Sequence, residues 1–203
     1  MSIYSEINKI YKRLDKGIAK FQSATGISCP PRCSVCCREW PVETTVLELF
    51  PLAREIYLRK QEDTVISAIS EKEAREDPVC VLFRDLTGRG HNGPCSYYEY
   101  RPLVCRLFGF ASRRNKFGRI ELMTCRIIKD YKPSEVRRAE MAISQGLRLP
   151  VYQDAFMRIS SIKPAIGFRR LPINEALKAA IETLYWMYPG KGPGFRSAVG
   201  SFR

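Results

Sequence analysis

The sequence predicts an α-rich protein of the α+β class, a small helical domain with irregular cysteine-bearing loops and a possible short hairpin. Apolar residues recur at three- and four-residue steps over several long windows, which is the period of an amphipathic helix. Strands are predicted only for the short apolar runs 79–83 and 120–123. A chain of 203 residues, 45% hydrophobic and 27% charged, is globular in composition and long enough to bury a core.

The predicted helices follow from this period and from signals at their ends. The first, residues 3–21, carries an apolar residue at every third or fourth position. The second follows the capping-box pattern of Thr45 and Glu48 and runs to about residue 60, with Pro51 marking a kink or the true start. Further helices are predicted for residues 64–76, 134–146, 151–162 and 174–188.

These elements suggest three consecutive parts. Residues 1–130 would form a cysteine-cluster domain with an N-terminal helix, residues 131–188 a helical part packed on it, and residues 189–203 a flexible basic tail. Charges interrupt the N-terminus where a signal peptide would need apolar residues. No window approaches the roughly 20 apolar residues of a spanning helix. We therefore expect a cytoplasmic protein without a transmembrane segment.

The balance of charges is basic, and histidine is scarce. Lys and Arg number 34 against 21 acidic residues, a net charge of +13, and most of the excess lies in the second half of the chain. Such a charge suits an acidic partner protein, nucleic acid or an anionic membrane surface, and the sequence leaves these partners and the oligomeric state open. The single histidine, His91, argues against imidazole-rich zinc sites and histidine-based triads.

Eight cysteines carry most of the functional argument. Because a reducing compartment disfavours disulfides, metal ligation or thiol chemistry is expected. Four of them lie in the segment CPPRCSVCC, where spacings of two or three residues let thiolates converge on one metal. The adjacent Cys36 and Cys37 should point apart, so that one of them serves a second metal or stays reactive. The eight are Cys29, Cys33, Cys36, Cys37, Cys80, Cys95, Cys105 and Cys125.

Eight thiols fit two four-thiolate sites, or one cluster with additional structural or reactive cysteines. The spacing from Cys29 through Cys33 to Cys36 also equals the radical-SAM signature. The residues that follow lack the alternating strands and helices of the barrel on which that chemistry normally sits.

Two arginines flank Cys105 in the sequence. Pro102 forces Arg101 toward extended backbone, and Arg106 follows the cysteine directly. A cation beside a thiolate lowers the pKa of the thiol and offsets the negative charge of a thiolate-bound cluster. Arg101 and Arg106 are therefore candidate cofactor-binding residues. The alternative is that Arg101 pairs with Glu99 or a helix terminus and only fixes the loop.

CPPRCSVCC followed by CVLFRDLTGRGHNGPCSYYEYRPLVCRLFGF resembles the CxxCxxCC cysteine-cluster family of zinc- or iron-chelating domains. The specific part runs from Cys95 to Arg106, a cysteine, an aromatic and acidic stretch, Arg-Pro and a Cys-Arg pair. The resemblance covers roughly residues 25–128 and implies that the cysteines occupy motif positions, Cys125 a looser one. The first gap has three residues, where the family name has two. Relatives include longer, flagellin lysine N-methylase-like proteins, but no methyl-donor motif is recognisable here.

We predict a cytoplasmic metal-binding protein that holds an iron–sulfur cluster or zinc through cysteine thiolates. The thiol count, the adjacent cysteines and the scarcity of histidine favour a four-iron, four-sulfur cluster over zinc. One alternative is a cluster-dependent protein-modifying enzyme, lysine N-methylase-like. Another is a structural zinc module that binds nucleic acid through its basic half. Whether the chain is an enzyme stays open, and no catalytic residue is assigned.

Overall fold

The computed structural model describes residues 2–31, 33–38, 41–83 and 95–187. Within these ranges the chain forms ten helices and two small antiparallel sheets, which confirms the predicted α-rich α+β class. The helices are α1 (Ile3–Thr25), α2 (Val35–Arg38), α3 (Phe50–Leu58), α4 (Glu62–Ala74), α5 (Leu103–Leu107), α6 (Arg126–Tyr131), α7 (Pro133–Ser144), α8 (Tyr152–Ser160), α9 (Pro164–Gly167) and α10 (Ile173–Met187). The strands are β1 (Glu43–Thr45), β2 (Ala111–Arg114), β3 (Ile120–Met123) and β4 (Arg170–Pro172). No helix in the described ranges is long and apolar enough to cross a membrane.

The chain divides into two units, each assembled from two separate stretches. The first unit combines Met1–Cys33 with Leu103–Ile162, and the second combines Ser34–Pro102 with Lys163–Arg203. The sequence places a domain boundary at residue 130, based on the order of elements along the chain. The two units are defined by contacts instead, and the boundary at residue 130 stays a prediction. The tail expected for residues 189–203 lies outside the described residues.

Helix α1 supplies one wall of the first unit. It confirms the helix predicted for residues 3–21 and continues to Thr25, where Gly26 adopts a φ of +76° and ends it. Its apolar face is buried and contacts α5, α7 and α8. A core cluster then joins the end of α1 to α6 and α7, with Phe21, Ile27 and Ile128 completely buried.

Strands β2 and β3 form a short hairpin, in which β3 confirms the strand predicted for residues 120–123 and β2 was not predicted. They pair antiparallel from Ala111 opposite Met123 to Arg114 opposite Ile120. Ser112 is buried, and its hydroxyl donates to the carbonyls of residues 149 and 150. Arg113 and Arg114 are exposed. The turn of the hairpin begins after Arg114, and its exposed tip lies at residues 116–119.

In the second unit, α10 contacts α3, α4 and both strands of the short sheet of β1 and β4. The capping box is present: the Glu48 N–H donates to Thr45 Oγ1 at 3.2 Å, and the Thr45 N–H donates to Glu48 Oε1 at 3.3 Å. It starts a 3₁₀ turn, and α3 begins only at Phe50 with Pro51 in its first turn. Pro51 thus marks the true start of the helix.

Helices α4, α7, α8 and α10 confirm the remaining predicted helices, with ends shifted by one or two residues. The strand predicted for residues 79–83 is wrong, because only Phe83 pairs, in an isolated bridge with Cys95. Polar side chains take over the backbone hydrogen bonds here instead, as when the Val79 N–H donates to Asp77 Oδ1 at 2.9 Å.

Two glycines of the first unit test how closely its core is packed. Gly109 and Gly118 have φ values of +83° and +77°, where a side chain is strained. A Cβ on Gly109 would lie 2.8 Å from Cδ1 of the buried Ile128, whereas a Cβ on Gly118 would meet no described heavy atom within 4 Å. Both alanine variants should lose about 1–2 kcal/mol of unfolding free energy through strain. Gly109→Ala should lose about 1–3 kcal/mol more through overpacking. Equal losses in urea unfolding would contradict this packing.

Candidate metal centre

The two units divide the eight cysteines into two sets of four. The boundary falls inside CPPRCSVCC, between Cys33 and Ser34. All eight cysteines are described, and no disulfide joins any of them. The first unit contains Cys29, Cys33, Cys105 and Cys125, and the second contains Cys36, Cys37, Cys80 and Cys95.

The adjacent cysteines lie on the single turn of α2, which the Cys37 N–H stabilises by donating to the Ser34 carbonyl at 2.9 Å. Their thiols share a hydrogen bond, so the side chains meet instead of pointing apart as expected from the sequence. This hydrogen bond to Cys37, together with burial, raises the pKa of Cys36 far above its ordinary range. The Cys36 thiol is therefore protonated at neutral pH until a metal replaces its proton.

A second pair of cysteines, Cys80 and Cys95, lies on two segments that the fold brings side by side although fifteen positions separate them in sequence. The bridge at Phe83 brings the two segments side by side, and the Ser96 N–H donates to the Leu82 carbonyl at 3.0 Å. Burial raises the pKa of Cys80 to about 11, and its neighbour Cys95 raises it further. Burial also raises the pKa of Cys95. The intervening residues 84–94, which include His91, lie outside the described residues.

In the first unit, Cys125 lies at the start of α6, where its Sγ accepts the Ile128 N–H at 3.4 Å. It also packs against the core cluster of that unit. Cys105 lies within α5. The Cys33 N–H donates to the Pro30 carbonyl at 3.2 Å, and Cys29 on the same loop is exposed to solvent.

The two arginines singled out by the sequence occupy different surroundings. Arg101 lies over the Tyr98 ring, 3.9 Å from its centroid, and donates to the Tyr98 carbonyl at 2.8 Å. Its positive charge lowers the pKa of Cys95, against the larger raising effect of burial. Arg106 is buried, forms an ion pair with Asp15 and lies 4.3 Å from the Tyr11 ring centroid. The assignment of both as cofactor-binding residues stays a prediction.

Asn174, at the start of α10, positions Cys80 and was missed by the sequence reasoning. Its Oδ1 accepts the Val81 N–H at 2.9 Å, and its Nδ2 donates to the Val79 carbonyl at 3.1 Å. One amide group therefore holds the backbone on both sides of the cysteine. Since 94 positions separate Asn174 from Cys80, no local spacing could reveal this contact.

A cluster on α3 and the loop after it fixes the segment that follows Cys95, and it was also missed. The Tyr97 hydroxyl donates to Gln61 Oε1. The Arg59 guanidinium lies 4.7 Å from the Tyr97 ring centroid and pairs with Glu55 at 2.7 Å. A hydrogen bond to the hydroxyl and a cation over the face of the ring thus fix the position of Tyr97.

The donor chemistry fits a thiolate-bound metal. Zinc and iron–sulfur clusters both take cysteine thiolates, and each of the two thiol pairs offers half of a four-thiolate set. Over the described ranges, no three side chains of His, Cys, Asp or Glu form a group that could hold a metal ion. The structure thus assembles two pairs of candidate ligands and leaves their combination into a site unassigned.

Residues 28–134 match the family model described as "CxxCxxCC: Putative zinc- or iron-chelating domain". The matched region is more than half of the chain and contains all eight cysteines and both arginines. No curated protein and no solved structure matches the chain.

Replacing Asn174 tests whether this side chain positions the backbone on both sides of Cys80. Asn174→Ala leaves the Val81 N–H and the Val79 carbonyl without their partner, which should lower the free energy of unfolding by about 1–3 kcal/mol. We expect faster alkylation of Cys80 in metal-free protein, measured by mass spectrometry of its peptide. Glu175→Ala, at the exposed neighbouring position, is the control. Alkylation of Cys80 at the wild-type rate would contradict this role.

The pKa of Cys80 predicts an unusual pH profile of its reactivity. Only the thiolate reacts with iodoacetamide, so the alkylation rate should keep rising with pH until about pH 11 in folded, metal-free protein. In urea the same peptide should level off near the ordinary thiol pKa of 9.0. Two coincident profiles would show that burial does not hold the proton on this thiol.

Proposed function

Because the chain belongs to the CxxCxxCC family of zinc- or iron-chelating domains, we propose that it is a cytoplasmic protein that holds an iron–sulfur cluster through cysteine thiolates. The observation that carries the proposal is that cysteines lie near one another in two places: Cys36 and Cys37 share the turn of α2, and a bridge brings the segments of Cys80 and Cys95 side by side. Cys80 and Cys95 are distant in sequence, and they lie near each other because the fold pairs their segments. Metal ligation explains such pairing in a cysteine-rich chain that forms no disulfide.

Iron–sulfur ligation is favoured over zinc by the composition of the donor set. The chain has eight cysteines and one histidine, and four thiolates hold a four-iron cluster. Each unit contains four cysteines, the number that one such cluster takes. Zinc is the second candidate, since a four-thiolate zinc site needs the same donors and the family description names both metals.

The residues around the thiols would prepare them for ligation. A thiol must lose its proton to bind metal, so ligation by Cys80 and Cys95, whose pKa values are raised, releases protons. The hydrogen bonds of Asn174 and Tyr97 would hold the backbone near Cys80 and near Cys95 in place before a metal binds. Arg101 would offset part of the negative charge that the thiolates bring. A bound iron–sulfur cluster would supply one-electron transfer.

Elemental analysis combined with an absorption spectrum separates the candidates. The protein is purified without oxygen, and iron, zinc and acid-labile sulfide are measured per chain. We expect iron with equimolar sulfide and the broad visible absorption of iron–thiolate charge transfer. Stoichiometric zinc in a colourless protein would overturn the cluster and retain the zinc candidate. Neither metal in the purified protein, together with failure to take up either one on anaerobic reconstitution, would overturn both.

Cys33→Ser tests the loop CPPRCSVCC as a ligand source. The hydroxyl is a poor replacement for a thiolate that ligates a soft metal, so stoichiometric metal should be lost. Ser34→Ala, the adjacent residue, is the matched control and should keep its metal. Circular dichroism of both variants establishes that they are folded. Full metal content in folded Cys33→Ser would refute the assignment of this thiol as a ligand.

A further inference from the structure

The fold separates the charges of the chain in a way that the order of the sequence conceals. The first unit contains 18 basic and 7 acidic residues, a net charge of +11. The second contains the other 16 basic and 14 acidic residues, a net charge of only +2. Nearly all of the excess charge therefore belongs to one unit, to which the N-terminal helix contributes.

The centre of this charge is a basic stripe along α1. At 100° per residue, five cations fall within an arc of about 100° on the helix surface. All five are exposed, and the stripe is about 17 Å long at the helical rise of 1.5 Å per residue. The basic stripe consists of Lys9, Lys12, Arg13, Lys16 and Lys20.

The basic stripe is held rigidly toward solvent because the opposite face of α1 is buried. Ile7, Ile18 and Phe21 on that face are at most 7% exposed. Arg106, a buried cation beside the helix, is already paired with Asp15. Among the described residues, none of the cations from Lys12 to Lys20 forms an ion pair. These four cations of the stripe thus present uncompensated charge on a fixed support.

Such an arrangement costs helix stability in the absence of an anion. Lys12, Lys16 and Lys20 follow one another at four-residue steps, and like charges at this spacing repel by about 0.2–0.5 kcal/mol per pair. Cations also continue at the C-terminal end of the helix, where Lys132 Nζ donates to the Gly26 carbonyl at 2.9 Å. There Arg138 Nη1 lies 3.8 Å from the position of a Cβ on Gly26. A linear polyanion bound along the stripe would relieve the repulsion among its lysines.

From this surface we infer that the first unit binds the phosphodiester backbone of nucleic acid through the basic stripe of α1. Consecutive phosphates of one strand advance 3.4 Å along the axis of a duplex, so 17 Å of that axis covers about five phosphate steps of each strand. A stripe of this length and charge therefore lies within reach of several phosphates. The contact reads no base, so binding is independent of sequence.

An anionic membrane surface matches the stripe less well. A helix that binds membranes inserts its apolar face between the lipids, and the apolar face of α1 is buried in the protein instead. No large apolar side chain of α1 is among the exposed ones of the described chain. The exposed face of α1 can therefore bind an anionic partner only through electrostatic contacts, and such contacts suit a phosphodiester backbone.

The test compares two variants that each lose three positive charges. The stripe variant is Lys12→Gln, Lys16→Gln and Lys20→Gln, and the control is Lys60→Gln, Arg75→Gln and Arg169→Gln, all exposed in the second unit. Binding of a fluorescent random-sequence DNA duplex, the matching RNA duplex and a single strand is followed by anisotropy over a salt series. Sedimentation with vesicles of phosphatidylserine and phosphatidylcholine tests the membrane.

We expect wild-type protein to bind nucleic acid with an affinity that falls steeply with salt. The stripe variant should lose about a hundredfold in affinity at about 0.1 M salt, and its logarithmic salt slope should fall by about three. The control should keep wild-type affinity within a few fold. Thermal unfolding should find the stripe variant at least as stable as the wild type, since repulsion has been removed.

Three results would overturn the inference: no binding of nucleic acid by the wild type, equal losses in both variants, or binding of the vesicles alone. The preference among the three nucleic acids identifies the source of the phosphodiester backbone. The inference does not rest on the metal function, and metal content is measured in every sample. A stripe variant with full metal and weak binding separates the two functions.

Discussion

Buried backbone that belongs to no helix or strand must find hydrogen-bond partners elsewhere, and the cysteine-bearing segments depend on this constraint. Around Cys80 the partners are side chains, with Asp77 on one side and the amide of Asn174 bonded to both neighbouring residues. After Cys95 the loop is bound to the turn that follows α3, through the ring and hydroxyl of Tyr97. The second unit thus places irregular chain at defined positions by polar contacts from its helices.

The same enclosure that orders these thiols also holds protons on them. Removing a thiol from water disfavours its charged form, which is why the pKa of Cys80 is raised to about 11. A divalent or polynuclear metal can displace such a proton because it replaces lost hydration with direct bonds to sulfur. Burial therefore makes these cysteines poor general nucleophiles at neutral pH while leaving them suitable as ligands.

Local patterns predicted what local interactions determine. The period of α1, the reciprocal bonds of Thr45 with Glu48 and the hairpin strand at residues 120–123 all arise within a few residues, and the sequence predicts each of them. The strand expected at residues 79–83 is wrong because side chains distant in sequence compete for its backbone groups. The four-to-six-residue helices α2, α5, α6 and α9 are too short for a period to show. For the site, the sequence identified every cysteine as a candidate, but neither the pairing of Cys80 with Cys95 nor the role of Asn174.

The interleaving of the two units has a consequence for how this family region can be inherited. Residues 28–134 are one stretch of sequence, yet they begin after α1 and end before α10. Each unit draws core side chains from outside that stretch, such as Phe21 in the first and Leu177 in the second. The cysteine-bearing stretch is therefore not a module that could be transplanted by itself. A host protein that acquired it would have to supply α1 before the stretch and the helices from α7 to α10 after it, with apolar faces of matching shape.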